Sequence, residues 1–194
     1  MLRTVPHMLA LGLAGALAAD PALAPTGHGA SGLEHGLLHP LTGLDHLLAM
    51  VCVGVLGVTL GGAAVWALPL TFVSMMVAGG LVGMAGIELP LVEAAIALSL
   101  VALGLALTLR VRPPLVVSTL AVAFFAIFHG HAHGAEAPES ASGLAYAAGF
   151  VVATALLHAT GAAAGWWIER RGARVVSQIA GAVVSGIGIV LLVG

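Results

Sequence analysis

Two short stretches of the chain combine residue types that bind transition metals. The first, HPLTGLDHLLAM (39–50), carries His39, Asp45 and His46, and no charged residue or histidine follows from Leu47 to Ile87. A charge facing lipid costs about 2.5 kcal/mol or more, so an aspartate at the head of such a run marks a function. The second stretch, FHGHAHGAE (128–136), sets His129, His133 and Glu136 at i, i+4 and i+7. These share one face of a helix that continues that far, while His131 projects to the other side. A short histidine-rich tract is a metal-binding signature, and its plain alternative is a solvated loop. Imidazole with carboxylate suits a divalent ion: Zn, Ni, Co, Cu(II) or Fe(II). Neutral imidazole is the binding form, and carboxylates offset the ion's double charge as it loses water.

The elements that position these residues are membrane helices. The chain has 194 residues, 60% hydrophobic and 7% charged. A soluble domain carries about 25% charged residues, so the composition is that of a protein embedded in a lipid bilayer. The net charge is −2, with no lysine and no basic run, which excludes nucleic-acid binding and a Walker A phosphate loop. The single cysteine, Cys52, lies in an apolar run and reads as a small buried hydrophobe. The N-terminus reads as an export signal over 1–24: Arg3, the apolar core 8–18, and a small-x-small cleavage site near Ala18 or Ala24. The alternative is an uncleaved anchor.

Turn signals then divide residues 25–194, a single domain, into six apolar segments near 38–60, 63–86, 91–109, 114–133, 143–167 and 175–193. Most are close to the ~20 residues that cross a bilayer. The expected fold is an all-α integral membrane protein, a signal peptide followed by six transmembrane helices. With the N-terminal tail outside, Arg110, Arg112, Arg170, Arg171 and Arg174 all fall on the cytoplasmic side, as the positive-inside rule requires. Both ends of the mature chain are then periplasmic.

This topology gathers ionisable groups at one outer mouth. His39 and His46 stand two helical turns apart, on nearly one face, with Pro40 in the first turn. Asp45 lies about 100° round the helix, so it acts with a neighbouring helix or orients a histidine. His129, His133 and Glu136 end on the same side, as do Glu88 and Glu93 around the start of the third segment. His28 and His35 in the tail either gather ions or do nothing. His158, well inside segment five, is a deeper ligand or a hydrogen-bonded core histidine. Gly130 and Gly134 point to a loosened helix end, open to an ion or another helix. Gly57/Gly61, Gly79/Gly83 and Gly161/Gly165 read as small-xxx-small packing pairs, and Pro69 as a kink.

Both motifs resemble the signatures of the HupE/UreJ family of nickel permeases. The first family motif, H-x5-D-H, is matched by His39, Asp45 and His46. The second, F-H-G-x-A-H-G-x-E, is matched by Phe128, His129, Gly130, Ala132, His133, Gly134 and Glu136. The family's acidic residue near the start of the third mature helix corresponds better to Glu93 than to Glu88. The resemblance covers nearly the whole chain. It implies a permease, not an enzyme, that imports Ni²⁺ as transported substrate across a bacterial inner membrane to supply hydrogenase or urease. The residues themselves specify a transition-metal site and leave Co²⁺ or Zn²⁺ open. Two other classes remain: a membrane-embedded, ceramidase-like zinc hydrolase, and a passive metal-binding accessory protein.

Overall fold

The computed structural model describes residues 32–137 and 143–194. The signal segment 1–24 and His28 lie outside the described residues. Seven α-helices and no strand are found among them: α1 (Gly32–Thr42), α2 (Leu44–Leu60), α3 (Ala64–Met84), α4 (Val92–Thr108), α5 (Leu115–Ala135), α6 (Gly143–Arg170) and α7 (Arg174–Val193). The last five match the expected segments to within three residues. Four of them, α3, α5, α6 and α7, are long and apolar enough to cross a membrane. The α1–α2 pair makes a fifth if its two halves form one span, and α4 is apolar but only 17 residues long.

The first expected segment is corrected. Helix begins at Gly32, earlier than expected, and breaks at Gly43, where α1 and α2 meet at 84°. Gly43 adopts an extended conformation (φ −94°, ψ 113°), which ends one helix and starts the next. Pro40 therefore sits near the end of α1, not in a first turn. His39 and His46 belong to different helices and share no face. The expectation took a uniform 3.6-residue period through a glycine that interrupts it.

Three helix pairs build the body: α3 with α5, α4 with α7, and α2 with α6. In lipid there is little hydrophobic drive between helices, so association relies on close backbone packing at small residues. Glycines supply it. A Cβ on Gly79 or Gly83 would run into the backbone of Ile127 or His131, and one on Gly130 or Gly134 into Met76 or Gly80. The second metal motif is thus not a loosened helix end: its glycines press a continuous α5 against α3. Gly161 packs in the same way against Val51, as does Gly54 against His158. Gly61 differs from its expected packing role, since it turns the chain after α2 with φ +75°. Helix α3 runs through Pro69 without a break.

Matching positions along these contacts fix helix directions. Residues 79 and 83 of α3 meet 127 and 131 of α5, so the two run parallel; 104 and 188 of the α4–α7 pair meet 181 and 97, so those are antiparallel. One end of the bundle therefore collects the exposed Trp66, Trp166 and Trp167 with the arginines of the α4–α5 and α6–α7 turns. Arg170 and Arg171 stack on Trp166 and Trp167 at 4.5 and 5.3 Å, and Arg110 pairs with Glu169 at 2.8 Å. The histidines lie towards the opposite end.

Candidate metal site

Four histidine rings from three helices form a continuous column. His39 of α1 meets His133 of α5 with ring centroids 4.8 Å apart. His133 meets His46 of α2 at 4.1 Å, and His46 meets His129 of α5 at 4.8 Å. The break at Gly43 makes this possible, because the 84° bend lets α1 and α2 approach the same face of α5 from two directions. Burial separates the ends of the column: His39 is partly exposed, His133 and His46 are 4% and 8% exposed, and His129 is fully buried.

Hydrogen bonds assign the proton on two of these rings. Asp45 Oδ1 lies 2.8 Å from His46 Nδ1 and also accepts the His46 backbone N–H at 2.8 Å. A carboxylate only accepts, so Nδ1 carries the ring proton and the buried, unpartnered Nε2 presents a lone pair. Asp45 thus orients a histidine from behind. At His129 the partner is Ser99 of α4, whose hydroxyl lies 2.9 Å from Nε2 and 2.6 Å from the Ile96 carbonyl. The single hydroxyl proton goes to the carbonyl, which cannot donate. Ser99 therefore accepts from Nε2–H, leaving His129 Nδ1 as a buried, unpartnered acceptor. His133 has no hydrogen-bond partner on either ring nitrogen. Several buried imidazole nitrogens thus lack partners in one place, an arrangement that costs about 1–3 kcal/mol per group unless something binds there.

At the mouth, His39 Nε2 is 3.1 Å from Glu136 Oε2. One ligand atom each from His39, His133 and Glu136 falls within 4.8 Å of the others. Ligands sharing one zinc-like ion stand roughly 3.3 Å apart, given bonds of about 2.0–2.1 Å, so modest side-chain rotation closes the set. Glu136 follows directly on α5, where its backbone N–H bonds the Ala132 carbonyl and holds it in register.

The other candidates lie elsewhere. His131 faces away from the column, as its spacing implies, and its Nε2–H donates to the Ile87 carbonyl at 2.7 Å, tying α5 to the α3–α4 turn. Glu88 and Glu93 are exposed, and neither makes a hydrogen bond or ion pair with the histidines. His35 is exposed on α1. His158 is buried in α6 and touches Phe72 rather than the column. Sequence reasoning missed Ser99, whose isolated position in an apolar helix gives no signal. It also missed the aromatic wall: Phe150 packs on His133 at 4.1 Å, and Tyr146 donates its hydroxyl proton to the His133 carbonyl at 3.2 Å.

Comparison with known proteins agrees with the motifs. Residues 11–191 match the family model described as HupE / UreJ protein. Protein HupE of Rhizobium leguminosarum bv. viciae is 46% identical over 165 residues, 85% of this chain and 86% of that protein. No solved structure matches the chain. Both matches span most of the chain, including the two histidine motifs and the helices that carry them, and this multi-pass membrane protein belongs to the HupE/UreJ family.

Proposed function

We propose that the protein is a secondary permease that imports a divalent transition metal, Ni²⁺ first and Co²⁺ or Zn²⁺ as alternatives, across a bacterial inner membrane. The observation that carries this reading is the column of buried imidazoles, in which His46 Nε2, His129 Nδ1 and both nitrogens of His133 have no protein partner. His39, Glu136 and His133 capture the ion at the periplasmic mouth. Successive ligand exchange then moves it to His46 and His129, while Asp45 offsets part of its charge. Glu93 and Glu88, exposed around the start of α4, raise the local cation concentration. His28 of the tail, His35 on α1 and His131 on the far side of α5 are candidates for auxiliary ligands. The inward-negative membrane potential is a sufficient drive, at ~4.6 kcal/mol for two charges per 100 mV.

In this reading residues 1–24 are a signal peptide and 25–194 a permease domain of six spans, with α1–α2 as a broken first span and α4 as a short third. Broken helices are a recurrent way to place ligands at membrane depth. The metal supplies hydrogenase or urease. Family membership favours transport over the zinc hydrolase, and no second observation supports a reacting water.

The test is initial uptake of radiolabelled Ni²⁺ by purified protein in sealed liposomes. Wild-type protein takes up metal, and His39→Ala, His46→Ala and His133→Ala each remove high-affinity uptake while keeping near-normal amounts of folded protein. A hydrolase or a passive binder admits no metal in this assay. Equal loss of folded protein in all three variants would assign these histidines to packing.

A further inference from the structure

His158 stands outside both motifs, yet its burial is as unexplained as theirs. It is 3% exposed on α6, and neither Nδ1 nor Nε2 has a hydrogen-bond partner. Its ring meets Phe72 of α3 edge-on at 5.1 Å, and the same Phe72 ring lies 5.5 Å from His129, the deepest ring of the column. One turn earlier on α6 and one turn later on α3, Thr154 and Met76 make a second rung, with the Thr154 hydroxyl 3.5 Å from the thioether sulfur. Both are fully buried or nearly so. The backbone of His158 lies against Gly54 of α2, eight residues beyond His46 and thus about 12 Å deeper along that helix.

An imidazole with both nitrogens unsatisfied in an apolar interior lowers stability by about 1–3 kcal/mol per group, whereas an apolar side chain of similar size fills the same space without that penalty. Nothing in the packing around Phe72, Thr154 and Met76 requires a histidine. We infer that His158 is a second, inner metal-binding position, separated from the outer column by the Phe72 ring, which accepts the ion after His129 during passage. Imidazole suits the same borderline divalent ions as the column, and the Met76 sulfur lies one rung away, against Thr154. A neutral ligand at this depth fits a transit position, since no carboxylate holds the ion there. The inference rests on the permease reading.

The experiment uses the full chain in sealed liposomes with radiolabelled Ni²⁺, comparing wild type, His158→Leu and His158→Cys, with thermal unfolding and equilibrium Ni²⁺ binding measured on each. The Leu variant is expected to unfold at or above the wild-type temperature and to keep outer-site binding. Its maximal uptake rate is expected to fall by about tenfold or more, a loss in the range seen when metal-site support is removed. The Cys variant, which restores a metal ligand, recovers part of that rate. Wild-type uptake in the Leu variant overturns the inner position while leaving the permease intact. An earlier unfolding transition in the Leu variant, with no recovery by Cys, also overturns it and makes His158 a packing residue. Absence of uptake by the wild type overturns the permease reading and the inner position together.

Discussion

At the scale of single residues, the site depends on which nitrogen carries a proton. Ser99 holds the His129 proton on Nε2, away from the column. In Ser99→Ala the buried N–H loses its acceptor, and the proton can move to Nδ1, the atom proposed to meet the metal. The expected result is an apparent affinity for Ni²⁺ about tenfold weaker or more, with recovery when metal is abundant. Ser99→Thr keeps the hydroxyl and stays near wild type. Concentration-dependent uptake, scaled to membrane-inserted protein, checks this; an unchanged Ala variant removes Ser99 from the site. A metal ligand must give up its proton before it binds, so metal and protons compete at the exposed end of the site, and apparent affinity is expected to fall as outer pH drops from about 7.5 to about 5.5 and to be regained on return. Affinity that stays constant over this range would count against histidine ligation at the mouth. Ser99 could not be read from the sequence, because a lone serine in an apolar helix has no spacing partner. Asp45 could be read, because its negative charge at the head of an apolar run demands a use.

At the scale of elements, regular periodicity was legible and its interruption was not. His129, His133 and Glu136 fell together because α5 keeps its period through Ala135. His39 and His46 were expected on one face and instead each meet His133 from opposite sides of a bend, because Gly43 is compatible with both continuing and ending a helix. The pairing of α3 with α5 was also hidden: glycine pairs announce close approach but do not name the partner. That pairing is testable. Gly130 lies between two histidines, and any Cβ there enters the Met76 backbone. Gly130→Val forces α3 and α5 apart, an overpacking of about 1–3 kcal/mol or more. It is expected to lower the unfolding temperature and to abolish uptake together. Gly186→Ala, where a Cβ meets nothing within 4 Å, leaves both unchanged or slightly raises stability. Equal behaviour of the two variants in a detergent unfolding assay would contradict close α3–α5 packing.

At the scale of the whole molecule, direction of transport reduces to which end of the bundle faces out. The histidine column occupies one end and the arginine–tryptophan rim the other, so the orientation that satisfies the positive-inside rule is also the one that the proposed capture from the periplasm needs. Helix α4 separates the two ends with only 17 residues, about 25 Å, slightly less than the ~30 Å hydrocarbon core. In the proposed six-span arrangement, local thinning of the bilayer would accommodate it. Its two flanks give a direct measurement. Cys52, buried among apolar residues, is first replaced by alanine so that no native thiol remains. Single cysteines then replace Ile87, before α4, and Val111, after it; both side chains are well exposed, and neither substitution removes an arginine that sets topology. In intact spheroplasts a membrane-impermeant maleimide is expected to label the cysteine at 87 at once and the one at 111 only after permeabilisation. The reverse pattern would turn the metal site towards the cytoplasm and make the protein an exporter. Labelling of both positions in intact cells would show that α4 does not cross, which leaves five spans and places the arginines of the α4–α5 turn outside.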